Sequence, residues 1–196
     1  MFYSLRNLFA LIGFIAVVTG IYASVKLAPT LEKLHGFDDK AASVYLDMGK
    51  KLLSTENAAE ATVWKVPVEK GLSVEDVEQT MRMVANEHNI KNVGELPLSV
   101  QVSKMTGKKT RFYKIYMFCN PLTAAKMLEY SDAYSAYLPC RIAMVEDKKG
   151  KLALYSLNMD AMIYGGAPLP PALKKEAENV KKIILDIMHR GAIGDF

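Results

Sequence analysis

The sequence predicts an α+β protein in which helices pack on one face of an antiparallel sheet, behind an N-terminal membrane helix. Two observations lead to this prediction. Short β-rich runs and amphipathic helical patterns follow one another in the order β-α-β-β-α-β-β-α, which is typical of α+β domains. A long uncharged segment precedes them. We therefore divide the chain into a transmembrane anchor at 1–28, a helical linker or collar at 29–60 and a globular domain at 61–196.

The anchor segment runs without a charged residue from Asn7 to Val25, which is nineteen residues. A helix of about 20 residues crosses the ~30 Å hydrocarbon core of a bilayer, so the segment is just long enough. A cleaved signal peptide is the alternative, but its apolar region usually spans about 7–15 residues. The residues that end at Ala23 make a weak cleavage site, and the segment has no cysteine for lipidation. We expect a single-pass anchor in the inner (cytoplasmic) membrane.

Membrane orientation depends on the residues that flank the anchor. Arg6 lies on one side, and Lys26, Lys33 and Lys40 lie on the other. The count of basic residues alone therefore does not place the N-terminus inside. A short tail that leads directly into a first apolar segment is nevertheless typical of secretory signals and signal anchors. We expect the domain on the periplasmic or extracytoplasmic side.

The collar at residues 30–58 has the pattern of an amphipathic helix that begins after Pro29. Ala42, Tyr45 and Leu52 belong to an apolar stripe with roughly helical spacing, and charged residues occupy the other faces. A helix lying on the membrane surface is the alternative, but its polar face would need more lysine and arginine. The pattern therefore favours a spacer between membrane and domain.

The first half of the domain shows three strand patterns and one helix. ATVWKVPV is a β-rich run, and Ser73 with Asp76 forms a capping-box pattern that begins a helix over 74–89. This helix places an apolar stripe of Val77, Met81 and Val84 on one face. LPLSVQV alternates apolar and polar residues and predicts a half-buried strand, which TGKK joins to RFYKIYMF. Because RFYKIYMF is apolar on both faces, we expect it to be central in the sheet.

The second half begins with a strong helix start at Asn120 and Pro121. Asparagine caps free amides and proline fits the first turn, so we expect a helix over 121–130. CRIAMVED and KLALYSLN then form a second hairpin. The last helix is expected to end at Gly191. Its buried stripe consists of Leu173, Ala177, Val180, Ile184, Ile187 and Met188.

Two stretches near the cysteines show a family resemblance, FCNP at 118–121 and LPCRIAMVED at 138–147. Together they resemble the bacterial and archaeal domain-of-unknown-function 302 family, and the similarity covers residues 62–196. The resemblance implies a curved antiparallel sheet with helices packed on it, similar to the TATA-binding-protein-like architecture. It implies no reaction, and no residue of this chain inherits a catalytic role from it.

Cys119 and Cys140 are the two cysteines of the chain and form a candidate thiol pair. Each lies on an apolar strand face, one at the end of a strand and the other at the start of a strand. If these strands are antiparallel neighbours, the two sulfurs come close together. Three interpretations remain open: a disulfide or redox-cycling pair, two buried inert thiols, or a site for sulfur species, a metal or haem.

Six aromatic residues form a candidate surface for a ligand or a partner. Three tyrosines cluster between the cysteines, and the other three residues lie on the strand face opposite Cys119. A curved sheet can leave a concave apolar face, which is a usual setting for a small-molecule pocket. Docking of a second subunit and an ordinary core are the alternatives. The six residues are Phe112, Tyr116, Phe118, Tyr130, Tyr134 and Tyr137.

Composition and motifs argue against several classes of function. The 25 basic and 21 acidic residues are spread along the chain, so we expect no nucleic-acid partner. His35, His88 and His189 lack the spacing of metal ligands, and the methionines occupy core-like positions, so we expect no metal and no cofactor. The sequence has no phosphate loop, nucleophile elbow or dinucleotide fingerprint, which makes an enzyme the less favoured interpretation.

The leading hypothesis is a membrane-anchored, extracytoplasmic binding or accessory module without catalysis of its own. It would hold a small apolar ligand or a partner subunit against the aromatic residues. Its expected partners are membrane lipid, through the N-terminal helix, and a membrane-protein complex or a second copy of the chain. The alternative is a thiol-based redox or sulfur-handling protein that uses Cys119 and Cys140.

Overall fold

A computed structural model describes residues 2–195 of the chain. Its strands are β1 (Val63–Pro67), β2 (Lys91–Leu96), β3 (Tyr113–Cys119), β4 (Cys140–Glu146) and β5 (Leu152–Leu157). Its helices are α1 (Phe2–Leu34), α2 (Ala41–Thr55), α3 (Ala58–Ala61), α4 (Val74–Glu87), α5 (Leu98–Thr106), α6 (Pro121–Tyr130), α7 (Asp160–Tyr164) and α8 (Pro171–Ile193). A 3₁₀ helix, Asp132–Tyr137, lies between α6 and β4 and is called the tyrosine segment below.

The five strands form one curved antiparallel sheet in the order β1-β5-β4-β3-β2. β3 and β4 are direct neighbours and place Phe118 opposite Cys140, and β4 and β5 form the second hairpin. The predicted α+β class is therefore confirmed. β3 has a neighbour on each side, in agreement with its apolar composition, although β4 occupies the centre of the sheet.

Helices α4 and α8 pack against each other and on one face of the sheet, where they enclose the core. The predicted stripe of α4 is confirmed, because Val77, Met81 and Val84 are fully buried. In α8, Ile184 and Ile187 are also fully buried. Each aliphatic side chain of this kind stabilises the fold by about 1.5–3 kcal/mol through the apolar surface that it removes from water.

Two predicted helix starts are confirmed by their hydrogen bonds. At α4, Ser73 Oγ accepts a hydrogen bond from the Asp76 amide, and the Asp76 carboxylate accepts one from the Ser73 amide. At α6, the Asn120 side chain accepts hydrogen bonds from the amides of Leu122 and Thr123. The second cap fixes the start of α6 directly beside the end of β3.

Helix α8 does not end at Gly191, as the sequence pattern predicted. It continues to Ile193, and Gly194 follows with a left-handed φ of 67° as the C-cap. Gly191 instead lies where α8 crosses α4, and a Cβ atom there would come within 2.7 Å of Met81 Cγ. The glycine therefore permits the close approach of the two helices.

The segment LPLSVQV is a helix, so the predicted strand is wrong. The strand that pairs with β3 is β2, which ends at Leu96, the first residue of this segment, and Leu98–Thr106 forms α5. Pro97 cannot donate a hydrogen bond to a strand ladder, whereas its carbonyl accepts the first helical hydrogen bonds from Val100 and Gln101. An apolar alternation over so few residues does not distinguish the strand period from the helix period. Here the hydrogen bonds at Pro97 favour the helix.

The N-terminal helix is longer than the predicted anchor. α1 does not end at Pro29 but continues to Leu34, because a proline inside a helix removes one backbone hydrogen bond without necessarily ending the helix. Phe9–Leu34 is long and apolar enough to cross a membrane, and its most apolar part makes no buried contact. The collar then follows as α2 and the short α3, and buried Ala41 and Val44 dock α2 on the domain.

Candidate functional site

An apolar pocket lies where β3 ends and β4 begins, on the core side of the sheet. α6, the tyrosine segment, α7 and α8 close it, and its cavity volume is about 50 Å³. None of the described residues that line it is charged. Its polar side chains, apart from the thiols and phenols, are Asn120, Thr123 and Ser156, and five sulfur-containing side chains also line it: Cys119, Cys140, Met127, Met159 and Met162. We call this cavity the sheet-end pocket.

Both cysteines line the sheet-end pocket as half-buried free thiols. The β3–β4 register sets Cys140 opposite Phe118, so the two cysteines are offset by one residue at the strand ends. Burial raises the pKa of the Cys140 thiol to about 11, and the proximity of Cys119 adds to this shift. Burial also raises the pKa of Cys119. Both thiols are therefore protonated at neutral pH, which makes them weak nucleophiles.

The tyrosine segment forms the outer wall of the pocket. Tyr134 and Tyr137 line the cavity, and the Tyr134 hydroxyl donates a hydrogen bond to the Met162 carbonyl at 3.2 Å. The ring centroid of Tyr134 is 6.1 Å from that of Tyr130 and 6.5 Å from that of Tyr137. No described residue of the segment is buried, so this wall is held by few packing contacts.

The other three aromatic residues do not join the tyrosines in one surface. Tyr116 and Phe118 are buried in the core, because α4 and α8 cover the strand face on which they lie, and Phe112 packs partly against the same core. Of these three, Phe118 lines the sheet-end pocket. The structure thus brings Phe118, Tyr134 and Tyr137 together with both cysteines, and the aromatic strand face is part of the core.

Ser156, which lies on β5 and lines the pocket, was not among the predicted site residues. Ser156 is 6% exposed, and its hydroxyl makes no hydrogen bond to any described residue. Because no fully buried side-chain oxygen or nitrogen of the described residues lacks a partner, this hydroxyl keeps some accessible surface and is open to water or a ligand. The alternation of KLALYSLN places Ser156 on the same face as buried Leu154, which was the available signal.

A cluster of charged side chains lies further along β3, outside the pocket. Lys114 Nζ lies 2.8 Å from a Glu78 carboxylate oxygen and 2.7 Å from a Glu95 oxygen, and Arg82 lies 2.8 Å from Glu95. Burial alone would raise the pKa of Glu95, but hydrogen bonds led by Lys114 outweigh it and lower the pKa to about 2. The Tyr116 hydroxyl completes the cluster by donating to Glu78 at 2.5 Å. These contacts are those of a structural ion network.

Metal ligands of the usual kinds are not grouped in the described part of the chain. Among those residues, no three or more His, Cys, Asp or Glu side chains are placed to hold one ion. His88, one of the three histidines, instead pairs with Asp186 at 2.7 Å on the protein surface. The sheet-end pocket, by contrast, is a partly enclosed apolar cavity, which is the usual setting of a small-molecule site.

The fold and the pocket define an α+β domain carried behind one apolar N-terminal helix. Residues 64–190 match the family described as "Domain of unknown function DUF302", and the chain belongs to this family. This finding confirms the resemblance noted in FCNP and LPCRIAMVED.

The crystal structure of an uncharacterized conserved DUF302 protein from Bacillus stearothermophilus is similar to this chain. The two share 15% sequence identity with a TM-score of 0.53, over 65% of this chain and 95% of that chain. At this identity the likeness shows a shared fold. No curated protein matches the chain.

Proposed function

We propose that this protein is a membrane-anchored module that binds a small, neutral, apolar ligand in the sheet-end pocket. The observation that supports the proposal is the lining, which combines apolar and sulfur-containing walls with one unpartnered hydroxyl. Pockets that bind small molecules commonly have apolar walls and a few polar groups that fix orientation. Because no charged side chain is available to neutralise an ionic ligand, burial of such a ligand would be costly.

The ligand has an apolar body and one hydrogen-bonding group that meets Ser156. In the present conformation the cavity of about 50 Å³ is smaller than the roughly 150 Å³ that accommodate a benzene ring. A ring-sized ligand therefore requires an outward movement of the half-exposed tyrosine segment. The thiols and thioethers supply polarizable surface that adapts to such a ligand.

Binding of para-fluorophenol, a neutral ring with one hydroxyl, tests the proposal. We expect fluorine NMR of the full chain in lipid nanodiscs to show binding beyond that of empty nanodiscs. Ser156→Ala should weaken it by roughly 2–10-fold, the value of one hydrogen bond, whereas Ser135→Ala, at an exposed position of the tyrosine segment, should not. Equal signals from empty and protein-containing nanodiscs would contradict the proposal.

The anchor half of the proposal rests on α1, which is exposed along its apolar length. We propose an uncleaved signal anchor with the domain on the extracytoplasmic side, because the nineteen uncharged residues from Asn7 to Val25 exceed the apolar region of a usual cleaved signal peptide. We expect the full-length protein to stay with membranes during alkaline carbonate extraction, and a reporter fused at its C-terminus to be active outside the cytoplasm. Release of the protein at full length, or a chain shortened at its N-terminus, would contradict the anchor.

Thiol chemistry at Cys119 and Cys140 is the second candidate function, since both residues line one pocket. Their raised pKa values argue against it. With a pKa of about 11 instead of 9.0, Cys140 has about 100-fold less thiolate at neutral pH.

We therefore expect N-ethylmaleimide at pH 7 to label Cys140 about 100-fold more slowly in the folded chain than in the unfolded chain. Cys119, whose pKa is also raised by burial, should react slowly as well. Mass spectrometry of the labelled peptides measures both rates. Rapid native labelling of either cysteine would favour the redox function over the binding function.

A further inference from the structure

A second groove adjoins the sheet-end pocket through the tyrosine segment. Tyr134, Tyr137 and Met162 line both spaces, so the segment forms the partition between them. The groove has a volume of about 340 Å³ and is more open to solvent than the pocket. An outward movement of the tyrosine segment would join the two spaces into one path. We call this second space the outer groove.

The other side of the outer groove lies at the joint between the domain and the N-terminal helix. Gly165 and Gly166 line the groove, and their carbonyls accept hydrogen bonds from the Tyr45 hydroxyl at 2.6 Å and the Asp38 amide at 2.8 Å. The carboxylate of buried Asp38 also pairs with Lys174 of α8. Because only residues 35–40 separate α1 from α2, these bonds hold the groove beside the chain segment that leaves α1.

The rim of the groove has the chemistry of a membrane interface. Tyr130 and Tyr137, which line the groove, are 44% and 43% exposed. Leu34, the last residue of α1, and Phe37, in the link to α2, are exposed as well. Tyrosine rings are favoured at the headgroup level of a bilayer, where the ring is in an apolar and the hydroxyl in a polar environment. None of the described residues that line the groove is charged.

We infer that the tyrosine segment is the entrance of the sheet-end pocket and faces the lipid surface, so that the ligand is taken from the bilayer. The inference rests on the proposed function and narrows the ligand class to neutral molecules that partition into lipid and carry one hydrogen-bonding group. Such a molecule would pass from the interface through the outer groove, displace Tyr137 and meet Ser156. The anchor then serves to position the entrance as well as to retain the protein.

Quenching of tryptophan fluorescence by lipids measures which end of the domain faces the membrane. Trp64, the single tryptophan, is first replaced by phenylalanine, and new indoles are then introduced one at a time by Tyr137→Trp, Tyr130→Trp and Met105→Trp. Met105 is the matched control, because it is 86% exposed on α5, at the opposite end of strands about 20 Å long. The full chain is placed in nanodiscs that contain phosphatidylcholine with a doxyl label near the headgroup end of its acyl chain.

We expect a loss of fluorescence for Tyr137→Trp and Tyr130→Trp and no loss for Met105→Trp. Equal loss at all three positions, or loss at Met105→Trp alone, would overturn the inference. If para-fluorophenol binds while Tyr137→Trp is not quenched, the entrance is wrong and the binding function stands. If Tyr137→Trp is quenched while para-fluorophenol does not bind, the binding function fails, and the inferred ligand path fails with it.

Discussion

Ile184→Asp should abolish the cooperative unfolding transition of the domain, or lower its free energy of unfolding by more than about 3 kcal/mol. Ile184 is fully buried in the middle of α8, within the core formed with α4 and the sheet. A carboxylate at this position would lose its hydration without gaining a partner. Thermal unfolding of the full chain in detergent micelles, followed by near-ultraviolet circular dichroism, measures the effect.

Lys182→Asp is the matched control for this variant. Lys182 lies two positions earlier on α8 and is exposed, so the same new side chain stays in water. Lys181 is unsuitable as a control because its ammonium pairs with Asp160. We expect Lys182→Asp to shift the free energy of unfolding by less than about 0.5 kcal/mol. Equal destabilisation by the two variants would contradict the assignment of the buried face of α8.

Lys114→Met should lower the free energy of unfolding by about 3 kcal/mol at neutral pH, because it leaves two carboxylates without their shared ammonium. Lys114, Glu78 and Glu95 are each mostly buried, and Arg82 is the remaining cation of the cluster. Chemical unfolding at pH 7 measures the loss. Lys148→Met, in the exposed β4–β5 turn, is the control and should be nearly silent.

The charged cluster around Lys114 also predicts that the stability of the domain depends on pH in the acid range. The folded-state pKa of Glu95 is lowered from 4.5 to about 2, so its contribution to stability is fully present above pH 4.5 and is lost as pH falls towards 2. After screening by water this contribution amounts to about 1–2 kcal/mol. Lys114→Met removes most of this contribution. The free energies of unfolding of wild type and variant should therefore become more similar below pH 4.5. A constant difference from pH 7 to pH 3 would contradict this account of Glu95.

Local sequence signals predicted those parts of the fold that local chemistry determines. The caps at Ser73 and Asn120 and the stripes of α4 and α8 follow from hydrogen-bonding groups and apolar spacing within single elements. The antiparallel pairing of β3 and β4 was the condition on which the proximity of the two cysteines was argued, and the two strands do pair in this way. These predictions needed no knowledge of what each element packs against.

The errors arose where the tertiary structure decides. The apolar spacing of LPLSVQV fits the period of a strand as well as that of a helix. Because β2 already pairs with β3, this segment is free to form helix α5. In the sequence Gly191 has the pattern of a helix end, but its role is to let α8 approach Met81 of α4 closely. Likewise, the sequence cannot show that Tyr116 lies under α4 and α8, or that Ser156 faces an open space. A cavity is defined by what several elements leave unfilled, so no single segment indicates it.

The central claim is that a small apolar ligand binds in the sheet-end pocket, and filling this pocket with a side chain tests it most directly. Ala124 of α6 lines the pocket, whereas its neighbour Ala125 is exposed, so Ala124→Phe and Ala125→Phe add the same ring inside and outside the cavity. Both variants are titrated with para-fluorophenol in nanodiscs by fluorine NMR, after their thermal unfolding has shown that they are folded. We expect folded Ala124→Phe to lose binding and Ala125→Phe to bind like the wild type. Binding by folded Ala124→Phe that equals the wild type would contradict the claim that the ligand occupies this pocket.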